Sequence, residues 1–275
     1  MSVITLTSDI GMQDYLIGAI RGQLHQLCRD HEVIDISHNI TPFNFPQTAY
    51  LCKSAYPHFP DNTFHLILVN LFDRRPDHFL LAWHDGHYFC CADNGLLTMI
   101  LGGKPDMTIR LPFGQDQPRH LVGVVRLFGM AIDRLSRGEA LNRLGEETDT
   151  LVERLSLQPL IHDDWIEGQI IHIDHFENVV INITRQQFEA QRRGRPFRIL
   201  VMRDEYISQI SDTYADVAEG NKLALFNTAG FLEIAVNKGN AAGLFGLQSF
   251  NQEQLKGGNY YQSQLFYQTV RIYFE

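Results

Sequence analysis

Thr5-Leu6-Thr7-Ser8-Asp9-Ile10-Gly11, with Asp14 close behind, decides how the first half of the chain is read. Val3 to Leu6 are apolar or β-branched and predict a buried strand. The strand runs into Ser8, Asp9 and Gly11, residue types that make turns and helix N-caps. Beyond them Tyr15, Leu16, Ile17, Ala19, Ile20, Leu24 and Leu27 recur at roughly helical spacing. The order strand, acidic turn, helix puts the Asp9 carboxylate at the carboxyl end of a strand, where open α/β sheets bind ligands. There it can accept two hydrogen bonds, as from a ribose diol. The same residue type also serves as a plain helix N-cap.

The alternation continues downstream. Residues 33–36 read as a second strand, 37–43 as a polar loop, and 46–55 as a helix with Pro46 in its first turn. Residues 64–69 form a near-continuous apolar run, the pattern of a strand buried on both faces. Asp85-Gly86, flanked by apolar residues 80–83 and 88–91, is a hairpin signal. Residues 93–98 read as a turn opening a short helix, and 121–135 as a buried helix. Together these predict an α/β domain with a mainly parallel sheet over residues 1–162. The charged, leucine-rich stretch 138–164 reads as a helix plus a connector. From Trp165 the chain turns to short strands at 169–173, 179–183, Phe197–Met202, Lys222–Phe226, Phe231–Val236 and 265–274. In the last of these Val270, Ile272 and Phe274 alternate with polar neighbours. That predicts a smaller all-β, barrel-like domain over residues 163–275.

With 275 residues, 44% hydrophobic and 20% charged, the chain has the composition of a soluble globular protein. A net charge of -9 without a basic run argues against nucleic acid and anionic membranes as partners. No apolar run reaches membrane-spanning length, and the N-terminus lacks the basic and apolar regions of a signal peptide. Cys28, Cys52, Cys90 and Cys91 form no CxxC pair, so reduced thiols in the cytoplasm are expected. There is no phosphate-binding glycine signature, no GxSxG and no HExxH. His172-Ile173-Asp174-His175 suggests a metal at first glance. On a strand, however, its side chains alternate between faces, so none is predicted. Asp174-His175-Phe176-Glu177-Asn178 places an aromatic that can stack on a base beside an amide that can read its edge. Alone, it reads better as a hairpin turn with Asn178 in the left-handed conformation.

Six segments, in order and spanning nearly the whole chain, resemble one family. They are Ser8-Asp9-Ile10-Gly11-Met12-Gln13-Asp14; Asp35-Ile36-Ser37-His38-Asn39-Ile40-Thr41-Pro42; Asp93-Asn94-Gly95-Leu96-Leu97-Thr98; Ile173-Asp174-His175-Phe176-Glu177-Asn178; Thr213-Tyr214-Ala215-Asp216-Val217; and Asn227-Thr228-Ala229-Gly230-Phe231-Leu232-Glu233-Ile234-Ala235. They are similar to motifs of the S-adenosylmethionine (SAM) hydroxide adenosyltransferases, or SAM hydrolases, relatives of the SAM-dependent halogenases. The resemblance implies a homotrimer binding SAM between the first domain of one subunit and the second of its neighbour. It implies no cofactor, SAM being substrate or ligand. By motif, Asp9 would hold the ribose hydroxyls, and Asp14, Phe43, Asn94 and Asn227 would line the site. Asp174 would meet the methionine ammonium, Phe176 and Asn178 the adenine, and Thr228 the methionine carboxylate.

The resemblance further implies water attacking C5′ of SAM while an Asp, an Arg and a His polarise it. Here the chain departs. Asn70 in Val69-Asn70-Leu71-Phe72-Asp73-Arg74-Arg75 stands in the Asp position, and an amide orients water without taking its proton. Gly123 falls on the His position, with His120 the nearest histidine. Val124 falls where a halogenase would bind halide. Arg74 or Arg75 matches the Arg, and Asp73 is a candidate substitute acid. Two readings follow: a hydrolase with Asn70, Asp73, Arg74 and Arg75 rearranged around the water, or a SAM- or adenosine-binding relative that has lost catalysis. A different small ligand is the third.

Overall fold

The computed structural model describes residues 2–114, 116–202, 205–247 and 268–275, and divides into two compact units, 1–156 and 157–275. The first unit carries β1 (Ser2–Ser8), α1 (Leu16–Leu27), β2 (His31–Ser37), α2 (Phe45–Ala55), β3 (Phe64–Leu68), β4 (His78–His84), β5 (His87–Cys91), α3 (Leu96–Leu101), β6 (Met107–Pro112), α4 (Leu121–Ser136) and β7 (Glu146–Glu147). Its sheet runs β2-β1-β3-β5-β4-β6-β7. The first four strands are parallel, whereas β4 is antiparallel to both β5 and β6, and β7 to β6. The sheet is therefore mixed, mostly but not entirely parallel. The cause is local: Asp85 (φ 46°) and Gly86 (φ 82°) turn β4 directly into β5 as a tight hairpin.

The apolar run of β3 serves both faces of this sheet. Leu66 and Leu68 pack with Ile17, Ile20 and Leu24 of α1 and Val124 and Phe128 of α4. Ile67, one step along, packs with Phe45 and Ala49 of α2 and Leu96 and Ile100 of α3 on the opposite face. Cys90 and Cys91 likewise point to opposite faces, and all four cysteines are buried and free. Helices α1 and α4 approach closely at Gly129, where a Cβ would lie 2.8 Å from Leu27 Cδ1.

Between α4 and the second unit the structure corrects the expected helix. Residues 137–156 hold one short 3-10 turn (Leu141–Arg143), β7 and a run of turns and irregular backbone, with no α-helix. Two of the leucines there serve the first unit rather than a helix face: Leu144 joins one core and Leu151 packs against the other. The final segment, 150–156, is a strap hydrogen-bonded across the start of α3. Arg154 N donates to Thr98 Oγ1 (2.9 Å) and Ser156 Oγ to the Met99 carbonyl (3.0 Å).

The second unit is built of β8 (Leu160–Ile161), β9 (Trp165–Ile173), β10 (Val179–Thr184), α5 (Arg185–Arg192), β11 (Phe197–Met202), β12 (Glu205–Ile207), β13 (Lys222–Phe226), β14 (Phe231–Val236) and β15 (Thr269–Phe274). The order is β12-β11-β15-β9-β10-β14-β13, with β8 added on β9, and every strand pairing is antiparallel. The chain beyond β12 returns to the far edge, where Ile210 bridges Ala224 and Ser211 N donates to the Ala224 carbonyl (2.8 Å), so the sheet nearly closes into a barrel. Its alternating last strand buries Val270, Ile272 and Phe274. The predicted start of that strand, 265–267, lies outside the described residues. Helix α5 is absent from the sequence reading. It starts in a capping box made by Thr184 and Gln187 and inserts Phe188 against Phe197, Phe226 and Phe274.

Candidate functional site

Strands β1, β2, β3 and β5 all deliver their loops to one edge of the first sheet, the carboxyl edge where α/β sheets place ligands. Asp9 directly follows β1. Its Oδ2 accepts a hydrogen bond from the Phe43 N–H (3.0 Å), and the Asn70 N–H also reaches the carboxylate. Three strand-end loops thus converge on one half-buried acid. Burial pushes its pKa up, and these main-chain donors oppose that rise without cancelling it. Asp9 is not a helix cap, because α1 begins only at Leu16, whose N–H donates to Asp14 Oδ1 (2.8 Å). The backbone is left-handed at Gly11 (φ 73°), Phe43 (φ 62°) and Asn70 (φ 47°). For the latter two that conformation costs energy, the kind of strain that gathers at functional sites. Phe43 is 63% exposed, free to present its ring.

Behind Asp9, Ser8 Oγ lies 2.7 Å from His38 Nδ1, and His38 Nε2 lies 3.2 Å from Asp35, which also pairs with Arg21. Burial pushes the His38 imidazole down to about 4, so it is neutral at pH 7 and ties the β1 and β2 loops together as a hydrogen-bonding group.

Next to Asn70 opens a shallow pocket walled by Asn70, Arg74, Arg75, His78, Asp93 and Asn94, with Asp73 and Asp77 also on its lining. The Asn94 amide is a buried strut: Nδ2 donates to the Asn70 and Val69 carbonyls (3.2 and 3.4 Å) and Oδ1 accepts from Leu96 N (3.1 Å). Asp93 is held from three directions. Its Oδ1 accepts from Val152 N (2.7 Å), and Oδ2 lies 3.3 Å from His78 Nε2 and 3.7 Å from Arg74 Nη2. Arg74 also donates to the Asp93 carbonyl (2.9 Å). On its other side His78 Nδ1 meets Asp77 Oδ1 at 2.5 Å. The strap pins this wall through Arg154, whose Nε donates to the Asn94 carbonyl (2.9 Å). It crosses so near Gly95 (φ 90°) that a Cβ there would lie 2.3 Å from Arg154 Cγ. His120, the nearest histidine to the altered motif, instead caps α4, accepting from Gly123 N at Nδ1 (3.2 Å).

In the second unit Asp174 follows β9 and closes a turn on itself. Oδ1 accepts from Phe176 N (2.9 Å) and Asn178 N (2.8 Å), and Oδ2 from Asn178 Nδ2 (3.0 Å). The left-handed residue is Glu177 (φ 63°), not Asn178, because Asn178 is buried and begins the return to β10. Phe176 projects from the turn, 73% exposed. Asn227 Oδ1 accepts from Ala229 N and Phe231 N (both 3.1 Å), shaping a turn with Thr228 exposed at its tip. Tyr214 donates to Glu233 (2.7 Å), whose carboxyl is pushed up by burial, with Asp174 nearby adding to the rise. Among the described residues no group of three or more His, Cys, Asp or Glu is arranged to hold a metal, and no helix is long and apolar enough to cross a membrane.

The structure gathers Asp9, Phe43, Asn70 and Asn94 at one edge of the first sheet. The sequence reading missed Asp93 and His78 as a pair. Fifteen residues and a hairpin separate them, and no local spacing signals their contact.

Two family models match the chain: the SAM hydroxide adenosyltransferase N-terminal domain over residues 4–145 and the corresponding C-terminal domain over 168–253. Among curated proteins, an (R)-S-adenosyl-L-methionine hydrolase of Salinispora tropica is 30% identical, the match covering 93% of this chain and 98% of that one. One of the same name from Methanocaldococcus jannaschii is 26% identical over 93% and 96%, and a fluorinase of Nocardia brasiliensis 23% over 93% and 97%. A crystal structure of an uncharacterized conserved protein from Thermotoga maritima shares the fold, with a TM-score of 0.79, 22% identity and 99% of each chain covered.

Proposed function

The chain belongs to the SAM hydroxide adenosyltransferase family, and on that premise we propose that it hydrolyses SAM to adenosine and methionine. One observation carries the reading: the half-buried Asp9 carboxylate at the end of β1, approached by the main chains of Phe43 and Asn70. A carboxylate so fixed is suited to accept both hydroxyls of a ribose. The oxygen of water bonds to C5′, the C5′–S bond breaks with its electron pair onto sulfur, and methionine leaves as a neutral thioether. One water proton is released. The sulfonium needs neither a cofactor nor an acid to depart. Val124 is fully buried in the α4 core and offers no hydroxyl to a halide, which favours water as the nucleophile.

The same reading makes the assembly a homotrimer, with Asp174, Phe176, Asn178 and Thr228 of a neighbouring subunit meeting the amino acid and the base. Four buried free thiols fit a reducing, cytoplasmic setting.

Incubating the purified protein with SAM and separating the products tests the proposal. Adenosine and methionine should form in equal amounts, and Arg74→Ala should abolish their release. Saturable SAM binding without turnover would replace the hydrolase with a binding relative. Absence of binding would leave a different ligand.

A further inference from the structure

If water is activated in the pocket beside Asn70, something there must take its proton, and Asn70 cannot. Asp9, placed to hold the ribose, is not on the lining of that pocket. His120 is committed to capping α4. Asp73 lines the pocket but is exposed, with no hydrogen bond or ion pair fixing its carboxylate among the described residues.

Asp93 differs on each count. Its side chain is only 9% exposed, it lines the same pocket, and both its oxygens are oriented. Val152 holds one, while His78 and Arg74 face the other. His78 in turn contacts Asp77, whose carboxylate is 92% exposed. The result is a line from the pocket wall to solvent: Asp93, His78, Asp77. We infer that Asp93 is the catalytic base of the hydrolysis, standing in for the acid that Asn70 lacks, and that His78 is the positioning residue that orients it.

This inference rests on the hydrolase reading. As water attacks C5′ and the C5′–S pair goes to sulfur, one O–H proton passes to an Asp93 oxygen. It leaves through the His78 imidazole to Asp77 and bulk water, so the enzyme returns to its starting state and no co-reactant is needed. Asn70, at the pocket's edge, orients the water through its amide. Arg74, hydrogen-bonded to the Asp93 main chain, keeps positive charge beside the Asp93 side chain and so favours passing the captured proton on, which restores the carboxylate.

The test compares SAM dissociation constants with single-turnover rates of adenosine formation for the full chain and three variants. Asp93→Asn preserves an acceptor for Val152 while removing the base. It should slow turnover about 100-fold or more, the range a general base supplies, with the dissociation constant changed less than about 3-fold. His78→Gln should slow turnover about 10-fold, also at constant affinity. Asn70→Asp added to Asp93→Asn restores a carboxylate to the pocket and should recover at least 10-fold of the lost rate. An active wild type whose rate survives Asp93→Asn overturns the assignment. So does an Asp93→Asn variant that loses SAM binding along with turnover and is not rescued by Asn70→Asp. A wild type that binds SAM but forms no adenosine overturns the hydrolase reading itself, and the assignment with it.

Discussion

Asp9 and Asp174 each stand one residue beyond the end of a strand, and they use their oxygens in opposite ways. Asp174 satisfies three N–H groups within four residues of itself, so its turn is complete wherever that short segment exists. Asp9 reaches Phe43, 34 residues away, and the main chain after β3. Its surroundings exist only when three loops are already in place. A locally satisfied carboxylate shapes the chain, whereas one satisfied from afar is held half-buried at a raised pKa, in the state a ligand can exploit.

Acid should separate the two regions most strongly. The unit around Asp9 contains His65, pushed down to about 3 by burial, and His38, pushed down to about 4, with His31 and His87 also lowered. His65 is locked between Thr5 (2.7 Å) and His87 (3.2 Å). In the other unit burial pushes His172 down to about 4. These rings are neutral when folded but titrate near 6.5 when unfolded, so the unfolded chain binds more protons below that value. The stability they contribute is present above pH 6.5 and is lost as pH falls toward 4 and then 3. Hydrogen exchange at pH 7 and pH 5 should show protection falling further in β1 and β3 than in β9 and β10. Equal losses would break the contrast.

Charge at Asp9 comes next. Asp9→Asn keeps an acceptor for Phe43 N–H but removes the anion. A hydrogen bond to a charged group is worth about 1.5–3 kcal/mol, so calorimetry should find SAM bound roughly 10- to 100-fold more weakly. An unchanged constant would detach this acid from the ligand.

The smallest expected effect lies in the local turn. Glu177→Gly relieves a left-handed backbone that an L side chain adopts reluctantly, and should stabilise the second unit by about 0.5–1 kcal/mol in denaturant unfolding. Destabilisation would mean that the Glu177 side chain, rather than its backbone, holds the turn.

Legibility followed the same divide. The Asp9 turn, the Asp85-Gly86 hairpin and strands Lys222–Phe226 and Phe231–Val236 are written in neighbouring residues, and the sequence placed them correctly. Residues 138–164 misled because Leu144 and Leu151 answer to two different cores of the first unit, while Arg154 bonds to Thr98 and Asn94 far back in the chain. Helix α5 had a local signal after all, the Thr184 and Gln187 capping box, which its polar composition hid. In the Asp174 turn the length was readable, but which residue takes the positive φ was decided by the burial of Asn178. The His78–Asp93 contact was beyond any local pattern, since a sheet hairpin brings the two together.

The strap over Gly95 bears on how this protein can be dissected. The N-terminal family match stops at residue 145, yet Val152 and Arg154 hold the Asp93–Asn94 wall. A fragment cut at 145 would retain six of the seven strands and all four helices while leaving one side of its pocket unbraced. Any module swap that grafts a foreign second half onto this first half must carry residues 146–156 with the donor of the first. Otherwise the chimera inherits a scaffold without a working cleft.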